Sequence, residues 1–339
     1  MKEAADKMTE DLAIQLMENY DLSFDNMIPF RDGFIIDPSG AHSLLIKKTD
    51  LSIDRIMFNH LAKTHLNCNG FSYTDRYITN KEALPYTVIN EQVYVITTKV
   101  NGIEACFDNT YDISRTSISL ASMHAASAGG SYDLNKYSFA IKDLGKLPDM
   151  FKHRINELKK FRKLAGRGKS FFDYEYAKNA GYFIDEAERA ISELENSKYN
   201  EIVKKTFSSQ NICHHDLTSH NIILQNNITY ITGFENCCIE VKEYDIANFI
   251  RRKMRRTGWF LSDAKIIFDN YRSVYSLDND EMEFIKIILR FPQKFWRIVN
   301  KYYNSKRSWC EKGCLDKMKE CFAEKDPLHS FLNNFDVLY

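Results

Sequence analysis

Asp216 and Asn221 stand five positions apart in the stretch Ile212-Cys213-His214-His215-Asp216-Leu217-Thr218-Ser219-His220-Asn221, with His214 two positions before the acid. An acid and an amide at this spacing suit phosphoryl transfer: the carboxylate takes the proton from an attacking hydroxyl, and the amide five residues on holds a metal ion. The next residues read as a hairpin, Asn221-Ile222-Ile223-Leu224, a turn at Gln225-Asn226-Asn227, then Ile228-Thr229-Tyr230-Ile231. This chemistry calls for a second metal carboxylate just after the hairpin's second strand. There the chain reads Ile231-Thr232-Gly233-Phe234-Glu235, with Gly233 in the acid's place.

Magnesium takes oxygen ligands in near-octahedral geometry and normally uses one or two carboxylates beside phosphate oxygens. Glycine offers no side-chain oxygen, and losing a comparable electrostatic contact costs about 2.7–4 kcal/mol of transition-state stabilisation. The sequence offers two routes to rescue. Residues two apart on an extended strand share a face, so Glu235 is a candidate substitute ligand. Gly233→Asp would restore the carboxylate, provided the backbone there is not in a conformation reserved for glycine. Asp216 and Asn221 also suit ordinary turns and caps. His214, His215 and His220 invite a metal-cluster reading, but adjacent histidines on an extended chain point to opposite sides. His124, on an Ala-rich helix, reads as a packed or hydrogen-bonded core histidine.

These residues need a frame to position them. A chain of 339 residues is long enough for two lobes with a large buried core. Lys and Arg total 46, as do Asp and Glu, so nothing global points to nucleic acid or an anionic membrane surface. No apolar run approaches transmembrane length. The start leads into an amphipathic pattern rather than a signal-peptide core, and the expectation is a chain made and kept in a cytoplasm. Eight cysteines are too sparse for a disulfide scaffold. Cys310, Cys314 and Cys321 share a helix face and read as core packing, with a metal site as the alternative; Cys237-Cys238 reads as buried small residues.

Residues 5–20 form an amphipathic pattern through Met8, Leu12, Leu16 and Tyr20. Phe34-Ile35-Ile36 and Ser43 to Lys47, joined by a Pro38-Ser39-Gly40 turn, suggest antiparallel strands. Ile53, Ile56, Met57, His60 and Leu61 mark a helix that stops at Asn69-Gly70, and residues 86–97 form a hairpin. From about residue 110 helical periods dominate: 113–126, 150–164, 171–194, 243–256, 262–275, 280–301 and 310–322. This predicts an α+β fold with a small β-rich lobe at 1–100, a hinge at about 97–103 and a large mainly helical lobe at 101–339. The basic run Arg251-Arg252-Lys253-Met254-Arg255-Arg256 lies on a predicted helix facing solvent or acids of its own lobe.

Taken in order, these segments resemble the aminoglycoside phosphotransferase and choline kinase superfamily, and within it the CotS family of spore coat proteins. The stretches that carry the resemblance are Leu45-Ile46-Lys47-Lys48, Asn69-Gly70-Phe71, Lys99-Val100-Asn101-Gly102 and Leu120 to Ser127. They continue with Lys169-Ser170-Phe171-Phe172-Asp173, His215-Asp216 with Asn221, Tyr244 to Arg252, and Phe291 to Trp296. The ordered set spans about the whole chain and implies a protein-kinase-like bilobal fold.

The resemblance assigns Asp216 to the catalytic base and Asn221 to a metal ligand. It makes Lys47 the phosphate-binding lysine, with Lys48 the alternative because the strand register is open. Asp245 matches an acid that bonds backbone amides of the catalytic loop, and His214 would brace that loop from below. ATP and magnesium are the implied cofactors. The chain departs from the pattern at Gly233, in lacking a G-x-G-x-x-G loop, and in lacking a Glu on the 53–66 helix to pair with the lysine. The implied function is a spore coat protein, a pseudokinase descended from small-molecule kinases that binds other coat proteins. The alternatives are an active ATP-dependent kinase for a small hydroxylated acceptor and, third, a protein kinase acting on coat partners.

Overall fold

The computed structural model describes residues 10–31, 33–38, 42–304 and 311–339. Helix α1 (Glu10–Glu18) precedes β1 (Phe24–Phe30), β2 (Gly33–Pro38), β3 (Leu44–Thr49), α2 (Ile53–Cys68), β4 (Thr87–Ile89) and β5 (Gln92–Thr98). These strands form a five-stranded antiparallel sheet in the order β1-β2-β3-β5-β4. Strand alternation on β3 decides what each face does. Leu44 and Ile46 are buried in a cluster with Leu16 and Met17 of α1. Leu45 and Lys47 therefore point the other way, into a cleft.

The chain continues through β6 (Ile103–Glu104), α3 (Thr110–Ser127), α4 (Leu147–Ala165), α5 (Phe171–Asn196), α6 (Tyr199–Ser209) and β7 (Ile212–Cys213). Then come β8 (Ile222–Gln225), β9 (Ile228–Ile231), β10 (Cys238–Ile239), α7 (Lys242–Thr257), α8 (Leu261–Arg272), α9 (Asn279–Arg290), α10 (Gln293–Asn304) and α11 (Glu311–Asn333). The small sheet with its two helices thus stands against a large helical part, the kinase-like bilobal α+β architecture. The main core runs from α2 through α3, α7, α8 and α9. A second apolar cluster joins α4, α5, α10 and α11.

Two particulars differ from the expectations drawn from the sequence. Residues 280–301 are two helices, because Pro292 lacks an amide hydrogen and disfavours helical backbone at Phe291 before it; Phe291 sits at φ −61°, ψ 124°. Helix α6, strand β1 and the two-residue strands β6, β7 and β10 have no counterpart among the expected elements. As expected, Cys314 and Cys321 are buried in the second cluster. Residues 5–9 of the first helical pattern, the Ser39-Gly40 turn and Cys310 lie outside the described residues, as does the side chain of Arg256.

Candidate active site

The loop that carries Asp216 is built around Asp245, near the start of α7 and 1% exposed. Its Oδ2 accepts the backbone N–H of His214 at 2.6 Å, and its Oδ1 accepts that of His215 at 2.9 Å. His124 on α3 reaches Oδ2 through Nε2 at 3.3 Å, while its Nδ1 meets the Tyr271 hydroxyl at 2.9 Å. Burial pushes the Asp245 carboxyl up, but the His124 hydrogen bond and the neighbouring imidazoles hold it at about 2. A fixed anion in this place lets His215 adopt φ +65°, a left-handed turn that swings Asp216 outward.

His214, fully buried, sits beneath the loop and joins it to the end of β9. The Thr232 carbonyl, 2.9 Å from Nε2, can only accept, so Nε2 carries the proton and Nδ1 accepts the Asp216 N–H at 3.2 Å. Burial lowers the pKa of His214, consistent with this neutral tautomer. Asn221 donates from Nδ2 to the Asp216 carbonyl at 2.8 Å, which turns its Oδ1 toward Gly233.

The cleft between the sheet and this loop is a cavity of about 280 Å³ that brings together Lys47, Asp216, Asn221, Gly233 and Glu235. Lys48 faces out from the opposite side of β3. Leu45, Val95 and Ile223 give the cleft apolar walls, and Phe30, Arg31 and Lys99 stand at its edge. Gly233 has φ +77° and ψ 53°, and a Cβ built on it would lie 2.6 Å from Asn221 Oδ1. The backbone is therefore in the left-handed region, and a side chain there is strained and must displace the Asn221 amide, so Gly233→Asp does not simply restore the carboxylate. Glu235 does not continue a strand; it lies in a 3-10 turn spanning Phe234–Asn236 and faces Lys47 at 3.9 Å.

One residue of this cleft, Asp75, and its partner behind it, Lys63, were not found in the sequence. Lys63, on α2 where a Glu was sought, is buried and binds Asp75 at 2.8 Å. Burial pulls its pKa down, but Asp75, Tyr77 and Glu235 hold it above its ordinary value. Asp75 is brought in by a parallel bridge between Thr74 and Ile231. Helical spacing from Ile56 and Asn59 could have flagged Lys63 as inward-facing; nothing local marks Asp75. The basic run on α7 also behaves differently along its length. Arg252 donates to Asp216 Oδ1 at 3.1 Å and Lys253 meets Asp263, whereas Arg251 turns into the core.

Among the described residues, every carboxylate lining the cleft thus faces a protein cation: Asp216 meets Arg252, Glu235 meets Lys47 and Asp75 meets Lys63. Magnesium would have Asn221 Oδ1 and a Glu235 carboxylate already opposite a lysine, with no acid at position 233. This donor set is one carboxylate short of the one the motif calls for. The apolar walls and Lys47 do fit a nucleotide base and an anionic group. The histidines do not converge either: His214 braces the loop, His215 stacks on Tyr244, and the exposed His220 reaches Glu104 at 2.5 Å. His124, Cys213 and Asp245 lie within 4.8 Å of one another but are committed to each other's surroundings, the Cys213 thiol donating to the Glu240 and Val241 carbonyls.

The family model described as "Spore coat putative kinase YutH" matches residues 13–335, and the chain belongs to this family. Spore coat protein S of Bacillus subtilis (strain 168) is 21% identical over 298 residues, 87% of this chain and 84% of that protein. Among solved structures, an aminoglycoside phosphotransferase from Alicyclobacillus acidocaldarius superposes with a TM-score of 0.83 at 20% identity, covering 95% of this chain and 94% of that one. Spectinomycin phosphotransferase in complex with ADP and spectinomycin gives 0.59 at 15% identity over 96% and 98% of the two chains.

Proposed function

We propose that this member of a spore coat family is a pseudokinase. On this reading it serves in the coat by binding other coat proteins and transfers phosphate at a rate near background. The observation that carries the reading is the charge balance of the cleft. A kinase keeps surplus negative charge for its metal ions, which neutralise the charge developing on the phosphates. Here each described acid of the cleft is opposed by a cation from the protein itself, and Gly233 offers no carboxylate on a backbone that strains any side chain. Asp216 retains the place of a base, yet Arg252 occupies one of its oxygens, so an acceptor hydroxyl would compete with a guanidinium. His214 and Asp245 then have structural work, holding the loop that presents Asp216. Lys47 remains the group that would meet an anionic ligand, within a lobe division at about residues 97–103.

A second reading is an active phosphotransferase for a small hydroxylated acceptor. The observation that favours it is Glu235, half exposed and lining the same cleft as Asn221. Turnover of ATP with magnesium and a panel of sugar and amino-alcohol acceptors separates the two. We expect background turnover in the wild type, and an Asp216→Ala chain that supports coat assembly as the wild type does. Acceptor-dependent turnover abolished by Glu235→Gln would establish the second reading.

A further inference from the structure

Away from the cleft, the end of α7 and the residues after it meet α9, α10 and α11 around a cavity of about 50 Å³. Arg251, Arg255 and Trp259 line one side, and Phe291, Phe295 and Leu328 the other. Arg251 is 7% exposed and spends its donors on the Ile288 and Phe291 carbonyls at the C-terminal end of α9. The Arg255 Nε and the Trp259 Nε1, the latter on a side chain 8% exposed, are buried donors with no acceptor. Two acids also line the cavity, and both are held by other cations. Glu186 meets Arg290 at 3.0 Å and Arg189 at 3.3 Å, and Glu324 meets Lys294 at 2.6 Å.

From this geometry we infer an internal binding site for a small oxyanion of the size and charge of inorganic phosphate, held by Arg255, Trp259 and the field of Arg251. Guanidinium groups present fixed forks of donors that match oxyanions, and an indole N–H adds a donor without an acceptor of its own. Water would satisfy the orphan donors but would leave two guanidinium charges side by side in a poorly solvated place. That stress is visible in Arg251, which burial and then Arg255 push down to about 9. An anion in the cavity supplies the acceptors and adds counter-charge to that of Glu324, which already acts on Arg255. It would tie α7 to α9 and α11, so its effect is on the packing of the helical part. The site does not depend on whether the cleft is catalytic.

Calorimetric titration of inorganic phosphate into the full chain, in buffer free of phosphate and sulfate, tests the site. We expect one saturable site that Arg255→Gln weakens by about tenfold or more, the loss of one charge-assisted hydrogen bond. Trp259→Phe keeps an aromatic filling and removes one donor. It should weaken binding too, and it decides the matter if Arg255→Gln does not fold. Lys47→Ala, in the cleft, should leave the site intact. Absence of saturable binding overturns the inference, as does a site that survives both Arg255→Gln and Trp259→Phe or is lost in Lys47→Ala.

Discussion

Gly233→Asp is the substitution that a reading of the motif alone would choose to restore a kinase, and the structure predicts the opposite outcome. A non-glycine residue at φ +77° and ψ 53° costs about 1–2 kcal/mol in backbone energy. Its Cβ would lie 2.6 Å from Asn221 Oδ1, closer than real Cβ atoms approach, so the Asn221 amide must swing away. That movement breaks the 2.8 Å bond from Nδ2 to the Asp216 carbonyl, worth about 0.5–1.5 kcal/mol net. The new carboxylate would also lie among those of Asp216 and Glu235, which repel it. Together these give a loss of about 2–4 kcal/mol. Taking about 2 °C per kcal/mol, the low end of the scaling for large domains, Tm should fall by about 4–8 °C. The assay is thermal unfolding with and without ATP and magnesium, with Gly233→Ala as the control that carries the Cβ without the charge. Most of the loss should already appear in the alanine variant. A Gly233→Asp protein that melts at or above the parent and gains a magnesium-dependent shift with ATP would refute the reasoning.

Asp245→Asn should lower stability by about 3 kcal/mol, because one of two buried amides then faces an NH₂ group instead of a carboxylate oxygen; an unchanged melting temperature would count against it. The folded carboxyl sits at about 2, below its unfolded value near 3.8, so it adds stability above about pH 4 that disappears as the pH falls toward 2. Acid titration of Asp245→Asn should show a shallower loss across that window than the wild type. Lys63→Met strands the Asp75 carboxylate and should cost about 3–5 kcal/mol, partly recovered by adding Asp75→Asn, as denaturant unfolding would show. Arg252→Gln breaks a half-exposed pair and should change stability by less than about 1 kcal/mol. It should also leave ATP turnover at background, because position 233 still lacks its acid. Appearance of turnover would show that Arg252 alone restrains Asp216.

Asp216, Asn221 and the missing acid at Gly233 were legible because their relation is local: six residues of loop and one hairpin fix them. The choice between Lys47 and Lys48 was not legible, since it depends on which face of β3 is covered. Leu44 and Ile46 packing against α1 decides it. Asp75 and Arg252 reach the cleft only through tertiary geometry, a bridge from Thr74 to Ile231 and the crossing of α7 past the Asp216 loop. The break at Pro292 had a local signal that the longer helical period masked. The conformation of Gly233 had none, because nothing in Thr232-Gly233-Phe234 distinguishes a glycine that has merely lost a carboxylate from one whose backbone strains any side chain.

The three ion pairs of the cleft are not equal, and their differences say how it can still work. Lys63 and Asp75 are largely buried, at 5% and 16% side-chain exposure, so opening that pair leaves a desolvated charge. Lys63 also lies 5.5 Å over the ring of Phe234, which seats α2 on the turn just after Gly233. The pairs Lys47–Glu235 and Arg252–Asp216 are exposed enough for solvent and salt to screen them. An anionic ligand could therefore take Lys47 from Glu235 at little cost, while the Lys63 pair keeps the helix and the turn in place. On the pseudokinase reading such a cleft takes an anion without the help of magnesium. Any melting shift caused by ATP should then be no larger with magnesium than with EDTA, and should vanish in Lys47→Ala. A shift that requires magnesium would mean that Glu235 leaves Lys47 for the ion, and the pseudokinase reading would fall with it.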